Sequence, residues 1–342
     1  MKKIKIAIVG FGNLGRGVLR AIGKNSDMEL VEIITRHRER VKKEVENIPL
    51  FAVDQFEQLA DVAILCGGSK EDLFGITTNR TYGDKNKKIE NGRVMGQGPY
   101  FAQFFNTVDS FDTHSRIFDY YQYMGKFAKL NRHTAIVSAG WDPGTFSLER
   151  VLAGTFLPDA THYTFWGPGV SQGHSDAVRQ IKGVKDARQY TLPIEKAIER
   201  VRAGENPQLK TKEKHKRLVY VVVKEGSDKK RIAKEIKEMS NYFTDYITIV
   251  IFISEEDMRM NHSTFPHAGF VFASRKAEHK ALIEYRCEWG SNPDATGGIL
   301  VACARACFRL NREKKFGAFT MLDIPPAYYT THTRKELLTA YM

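Results

Sequence analysis

Apolar residues come in short runs, and after most of the early ones the chain turns glycine-rich or acidic. Ile4-Lys-Ile-Ala-Ile-Val9 is a nearly continuous apolar run that leads into Gly10-Phe-Gly12-Asn13-Leu14-Gly15-Arg16 and then a helical pattern. Residues 4–10 read as a first strand and 29–35 as a second. Asp61-Val-Ala-Ile-Leu-Cys66 reads as a buried strand ending in a Gly67-Gly68-Ser69 loop. Phe105-Asn-Thr-Val-Asp109-Ser110-Phe111-Asp112 and Thr134-Ala-Ile-Val-Ser138-Ala-Gly-Trp141-Asp142-Pro143-Gly144 repeat the pattern, each running into carboxylates. Strands alternating with helical stretches predict a parallel α/β sheet. In a doubly wound sheet, ligands gather at the carboxyl edge, where these loops fall.

Beyond this region the pattern changes. Leu218–Lys224, Tyr246–Ile253 and His267–Ala273 read as strands of an open, mixed sheet, with a helix over Lys229–Met239. The reading is a first domain over 1–142, a second, α+β domain over 143–291, and a segment 292–342 that packs back onto the first. A long apolar helix over Thr296–Lys314 carries that return. Phe74–Met95 is polar, basic and without sustained periodicity, which suits a surface loop or a lid near a cofactor.

The glycines after the first run give that domain a chemistry. Gly10-x-Gly12-x-x-Gly15 sits between a strand and a helix, the context a dinucleotide fingerprint requires. Gly10 allows the tight turn, Gly12 lets the backbone approach a pyrophosphate, and Gly15 lets the helix pack against the strand. Asn13 and Leu14 supply N–H groups at the helix start. The second strand ends in Thr35-Arg36-His37-Arg38, where an NAD site carries an acidic residue for the ribose 2′-hydroxyl. A hydroxyl and guanidiniums suit a 2′-phosphate instead, which predicts NADP(H) over NAD(H). Cys66, Gly67, Gly68, Ser69, Asp109 and Ser110, at two strand ends, complete the expected cofactor edge.

Composition narrows the alternatives. At 342 residues, with 42% hydrophobic and 27% charged residues, the chain has room for two domains with cores. Four cysteines (Cys66, Cys287, Cys303, Cys307) suggest no disulfide framework. Without a long apolar run or a signal peptide, the chain reads as soluble and cytoplasmic, with no membrane partner. Cys303 and Cys307 stand four apart on the long helix, but no further Cys or His pair completes a zinc set. Packed core thiols are therefore expected, and no metal. A net charge of +12 and a pI near 9.4 raise the possibility of nucleic-acid binding. That charge is scattered and no nucleic-acid-binding motif accompanies it, so a basic surface drawing anionic cofactor and substrate is the better reading.

Longer motifs point to one family. Ala7-Ile-Val-Gly-Phe-Gly-Asn-Leu-Gly-Arg16, Leu65-Cys-Gly-Gly-Ser69, Phe101-Ala-Gln-Phe104, Thr107-Val-Asp-Ser-Phe-Asp-Thr-His114 and Gly140-Trp-Asp-Pro-Gly144 are five of them. Thr164-Phe-Trp-Gly-Pro-Gly169, Ser171-Gln-Gly-His-Ser-Asp176, Gln189-Tyr-Thr-Leu-Pro193, His215-Lys-Arg217, Pro266-His267 and Ser291-Asn-Pro-Asp294 complete the set. With these the chain resembles the meso-diaminopimelate D-dehydrogenase family over nearly its whole length except Phe74–Met95.

The resemblance implies NADP-dependent oxidation of the D-configured amino-acid centre of meso-2,6-diaminopimelate. It also implies the reverse reductive amination with ammonia, on the way to lysine and cell-wall precursor. It implies a homodimer formed through the second domain, and no metal. By the same match Asp109 and Asp142 hold the reacting amine, with Asp112 supporting. Trp141 and Trp166 line the substrate, and Gln172 and Gly173 contact the reacting-end carboxylate. Arg217, Thr191 and His267 clamp the distal carboxylate, with Asn292 alongside. His174 and His215 read as structural. His37, Thr145, Ala295 and Thr264-Phe-Pro-His-Ala268 depart from the family pattern, and all but His37 lie near the substrate end. They keep open a second reading, a broad-specificity NADP-dependent D-amino-acid dehydrogenase.

Overall fold

The computed structural model describes residues 2–69, 73–74, 95–240, 242–276 and 279–342. Apart from its two end residues, Phe74–Met95 lies outside the described residues. The chain divides into two compact units, Met1–Leu148 with Pro293–Met342, and Glu149–Asn292.

The first unit contains β1 (Ile4–Val9), α1 (Asn13–Ile22), β2 (Met28–Ile34), α2 (Arg38–Val41), β3 (Leu50–Phe51) and β4 (Val62–Leu65). These are followed by α3 (Gln97–Phe101), β5 (Asn106–Asp109), α4 (Ile117–Leu130), β6 (Thr134–Ile136) and the start of α5 (Thr145–Phe156). The chain returns to this unit in α11 (Asn292–Arg312), β14 (Gly317–Phe319) and α12 (Arg334–Tyr341). Its seven-stranded sheet runs β14-β6-β5-β4-β1-β2-β3, with every neighbouring pair parallel. The strand order reverses at β1 and β4, as expected of a doubly wound sheet.

The apolar runs are continuous because this sheet is buried on both faces. Ile6, Ile8 and Ile33 face α1 and α11, whose Leu300, Val301, Cys303, Ala304 and Cys307 complete one core. Ala7, Val9, Ile34, Ala63 and Leu65 face the aromatic core of Phe101, Phe105, Phe111 and Tyr120. Cys303 and Cys307 are core thiols, Cys307 Sγ lying 3.2 Å from the carbonyl oxygen of Thr134. The backbones of α1 and α11 touch: a Cβ on Gly297 would lie 2.5 Å from the Gly17 carbonyl carbon, and one on Gly17 would run into the Pro293 carbonyl. Arg305 pins the same layer, pairing with both oxygens of Asp27 at 2.6 and 2.7 Å.

One buried carboxylate stands out in this sheet. Glu32, in β2, has no exposed surface, and its Oε1 accepts hydrogen bonds from the backbone N–H groups of Leu59 (3.1 Å) and Ala60 (3.2 Å). Its Oε2 has no partner among the described residues. Burial pushes the carboxyl up to about 7. Between its unfolded value and pH 7 the native chain keeps a proton that the unfolded chain has released. Stability from this group is therefore complete in acid and falls as pH rises through 7. Glu32→Gln keeps the acceptor and removes the charge. It is expected to match the parent near pH 4 and to exceed it by on the order of 3 kcal/mol at pH 8. Urea unfolding at both pH values measures this, and parallel pH profiles would exclude Glu32 as the source.

The second unit begins within α5 and continues through β7 (Thr161–Trp166), β8 (Gly169–Ser171), α6 (Gln172–Arg179), β9 (Val184–Pro193) and α7 (Glu195–Arg202). Then come α8 (Thr211–Lys214), β10 (His215–Val223), α9 (Lys229–Lys237), β11 (Ile247–Phe252), α10 (Glu255–Asn261), β12 (His267–Arg275) and β13 (Ala281–Trp289). A mixed four-stranded sheet runs β11-β10-β9-β8, and a three-stranded antiparallel one runs β13-β12-β7. The expected mixed sheet is present and holds the strands read at Leu218–Lys224 and Tyr246–Ile253, but the strand read at His267–Ala273 is β12, which pairs with β7 and β13 in the separate antiparallel sheet. The chain leaves one sheet for the other at Gly167, which has φ +99° and leaves no room for a Cβ beside the Thr191 carbonyl.

Candidate active site

At the carboxyl edge of the parallel sheet, Gly10 has φ +88°, a conformation glycine adopts freely. A Cβ on Gly15 would lie 2.5 Å from the Gly10 carbonyl oxygen, so only glycine there lets the helix start this close to the turn. A Cβ on Gly12 would meet open space, and no side chain caps the N-terminus of α1. The helix start at Asn13 and Leu14 is thus left without a side-chain cap, as an anion-binding helix end requires. Beyond β2, Thr35 is buried while Arg36 and His37 are exposed, and the Thr35 hydroxyl accepts from His37 N–H at 3.2 Å. Arg40 reaches back to the Phe11 carbonyl at 3.3 Å, placing a further guanidinium beside the glycine turn. This arrangement fits a dinucleotide carrying a 2′-phosphate.

The ends of β4 and β5 are tied together. The Ser69 hydroxyl donates to the Asp112 carboxylate, and Asp112 N–H donates back to Ser69 Oγ at 2.9 Å. Asp112 is exposed, as a ligand contact requires. Cys66 presents its backbone to Gly10, and burial raises its thiol pKa, so the thiol stays protonated. Trp141 and Asp142 occupy the turn after β6, both partly exposed. The Trp141 ring packs edge-on against Phe146 with centroids 5.0 Å apart.

Asp109 departs from its expected role as an amine contact. It has no exposed surface, and its carboxylate is enclosed by donors. Oδ1 accepts from the N–H groups of Phe111 and Ser138, each at 3.0 Å, and Oδ2 accepts from the Tyr120 hydroxyl at 2.8 Å. Burial pushes the carboxyl up to about 6 against these three donors. With both oxygens engaged inside the unit, this group acts as an internal brace.

In the second unit, Arg217 of β10 stands opposite Thr191 of β9. Both are buried; an Arg217 Nη donates to the Thr191 hydroxyl, and the guanidinium lies over the Tyr246 ring, 3.9 Å from its centroid. Its Nε is buried without a partner among the described residues. Burial lowers the Arg217 pKa, opposed by Tyr246. An arginine still stays charged at any working pH. His215 accepts the Trp166 N–H at 2.9 Å, and the two rings stack with centroids 5.3 Å apart. Burial first, then Arg217, push His215 down to about 3 and His174 down to about 4. Both imidazoles are neutral, so of these three side chains Arg217 carries the positive charge. His174 is held by the Ser171 hydroxyl at 2.7 Å.

Four further predicted residues belong to the ends of this unit's strands and helices. Gln172 and Gly173 open α6, whose N-terminus carries no side-chain cap. His267 begins β12 against Gly169, where a Cβ would lie 2.7 Å from the imidazole. Asn292 N–H donates to the Phe265 carbonyl at 2.7 Å, tying the His267 loop to the start of α11.

Comparison with known proteins now decides the family. Residues 140–291 match the diaminopimelic acid dehydrogenase C-terminal domain. The chain is 49% identical over 347 residues to the meso-diaminopimelate D-dehydrogenase of Ureibacillus thermosphaericus, covering 99% of this chain and 100% of that one. The chain belongs to the meso-diaminopimelate D-dehydrogenase family. Members of this family are oxidoreductases acting on a CH–NH2 group. A meso-diaminopimelate dehydrogenase of Clostridium tetani, substituted at six positions and crystallised with DAP, is similar with a TM-score of 0.87 and 41% identity over 99% of this chain and 100% of that one. Its substituted residues are, in chain order, a Gln, a Thr, an Arg, a Pro, a His and an Asn. An engineered D-amino acid dehydrogenase bound to NADP+ follows with a TM-score of 0.83 and 36% identity over 100% of both chains.

For a diaminopimelate dehydrogenase, the sequence left three contributors unnamed. Arg40 lay inside the basic stretch after β2 without distinction. Tyr120 and Tyr246 are aromatic residues whose partners, Asp109 and Arg217, come from other elements. No local spacing signals either.

Proposed function

We propose that this chain oxidises the D-centre of meso-2,6-diaminopimelate with NADP, giving L-2-amino-6-oxopimelate and ammonia, and runs the reverse reductive amination in lysine biosynthesis. The observation that carries this reading is the buried Arg217, whose Nε has no partner among the described residues, in a chain of this family. A buried guanidinium demands an anion, and its fork matches a carboxylate. The residue types substituted in the C. tetani enzyme recur here in the same order as Gln172, Thr191, Arg217, Pro266, His267 and Asn292. This supports assigning Arg217, Thr191, His267 and Asn292 to the distal L-centre. Gln172 and Gly173, at a helix N-terminus, are assigned to the reacting-end carboxylate, with Trp141 and Trp166 as pocket walls.

Bound NADP supplies the hydride acceptor. Gly10, Gly12, Asn13, Leu14 and Gly15 would hold its pyrophosphate, and Thr35, Arg36 and His37 its 2′-phosphate. Cys66, Gly67, Gly68, Ser69 and Ser110 complete that edge. Asp142 holds the reacting ammonium and takes a proton from it on the way to water, Asp112 supporting. The neutral amine's lone pair then drives hydride loss from Cα, forming an iminium. Water adds to the iminium carbon, and ammonia leaves as the carbonyl forms.

The relative that acts on D-amino acids generally is an engineered protein, so the broad-specificity alternative is not favoured. In this role the protein works in the cytoplasm, in keeping with cysteines that form no disulfide among the described residues. The same reading makes it a homodimer. Ile247, Ile249 and Ile251 project from one face of the edge strand β11 at 48%, 45% and 38% exposure, an apolar stripe suited to a second copy.

NADPH formation from meso-, L,L- and D,D-diaminopimelate and from simple D-amino acids tests the reading. Turnover should require NADP and a D-centre, with the meso isomer strongly preferred. Equal rates on simple D-amino acids would transfer the function to the alternative. In the same assay Arg36→Ala should weaken NADP about 10- to 100-fold and NAD hardly at all. Equal losses would remove Arg36 from the 2′-phosphate.

A further inference from the structure

The Asp109 carboxylate is buried with three donors, and it joins the ends of β5 and β6. Besides receiving Ser138 N–H on Oδ1, Asp109 receives Ala139 N–H on its backbone carbonyl at 2.8 Å. Ser138 has φ +55°, a left-handed conformation unfavourable for a residue with a Cβ. Its hydroxyl is buried without a partner among the described residues, so the side chain does not hold this conformation. The two N–H bonds to Asp109 do. Directly after come Gly140, Trp141 and Asp142, locked onto α5 by Thr145 N–H to the Gly140 carbonyl (2.9 Å) and Phe146 N–H to the Trp141 carbonyl (2.8 Å).

The Asp109 carboxylate is itself fixed from α4. Tyr120 is fully buried, stacked on Phe111 with centroids 4.1 Å apart, and close over Gly98, where any Cβ would strike its hydroxyl. We infer that Tyr120 is a positioning residue: its hydroxyl orients the Asp109 carboxylate, which holds Ser138 left-handed and so sets the Trp141–Asp142 turn. Without that hydroxyl, Oδ2 is a buried acceptor with nothing to accept. The carboxyl then favours its protonated form, a weaker acceptor for Ser138 N–H. Ser138 relaxes toward negative φ, and Asp142 moves with it.

This inference rests on the proposed function for its kinetic readout and not for its structural one. In full-length Tyr120→Phe, kcat with meso-diaminopimelate should fall about 10- to 30-fold while KM for NADP changes less than about twofold. Ser138→Gly, which adopts positive φ without support, should restore kcat of Tyr120→Phe to within about threefold of the single Ser138→Gly variant. Amide hydrogen exchange at Ser138, Ala139 and Trp141 should quicken about tenfold in Tyr120→Phe. That readout needs no substrate, so it decides the brace even if the parent fails to oxidise diaminopimelate. Asp109→Asn can keep all three hydrogen bonds and should lose no more than about fivefold in kcat. It also serves if Tyr120→Phe does not fold. Unchanged exchange in Tyr120→Phe, failure of Ser138→Gly to restore kcat, or a loss in Asp109→Asn as large as in Asp142→Asn would overturn the inference.

Discussion

Arg217→Met is expected to raise KM for meso-diaminopimelate by a few hundred-fold, with the smaller share of the effect in kcat. The guanidinium is buried against the Thr191 hydroxyl and Tyr246, and its buried Nε has no partner among the described residues. In the proposed complex its fork meets the distal carboxylate away from bulk water. Losing such a charged pair typically costs about 3–4 kcal/mol, because the substrate carboxylate is left desolvated and unpaired. Methionine fills similar volume and removes a buried charge, so folding stability should hold or rise. The loss is therefore one of recognition, and simple D-amino acids, which have no distal carboxylate, should be used no worse than before. Steady-state kinetics on both substrate types, with an unfolding curve alongside, separate these effects. An unchanged KM for diaminopimelate would dismiss the clamp.

Asp142→Asn should act at the other end of the substrate and on the other kinetic constant. If its carboxylate holds the reacting ammonium and accepts its proton, an amide keeps the shape and loses the base. General-base removal of this kind is expected to lower kcat about 100- to 1,000-fold, with KM changed much less. The parent's oxidative rate should climb toward alkaline pH as the amine loses its proton more readily. The variant should depend on pH more steeply, since solvent must then do what Asp142 did. A variant retaining more than half of the parent's kcat would remove Asp142 from the proton path.

How much of this was legible in the sequence depended on whether burial was one-sided. β1 and β4 are wrapped on both faces, so their apolar runs are continuous but for Lys5 and they were read correctly. The strand β13 exposes one face, and its Glu284, Arg286 and Glu288 interrupt the pattern so that it passed unread. β9, with Lys185, Asp186 and Arg188, was missed for the same reason. The Thr35–His37 stretch was readable because its chemistry is consecutive. Asp109 was not: a carboxylate at the end of a strand looks the same in sequence whether it meets substrate or is closed in by donors from residues 120 and 138. Family motifs name positions, whereas accessibility is a property of packing. The Arg217–Thr191 pairing, likewise, exists only once β9 and β10 are in register.

The contact between α1 and α11 has a consequence for how the protein is made. The helix α1 is synthesised long before the glycine near residue 300 against which its backbone fits. Ile4, Ile6, Ile8, Val18 and Ile33 have as their cover Leu300, Val301, Ala304 and Leu310. Until translation passes Leu310, one face of the nascent sheet is bare and apolar. The seven-stranded sheet, though begun before the second unit, can be completed only after that unit has been made. Anything that stalls the chain in between leaves a sticky intermediate for chaperones to guard.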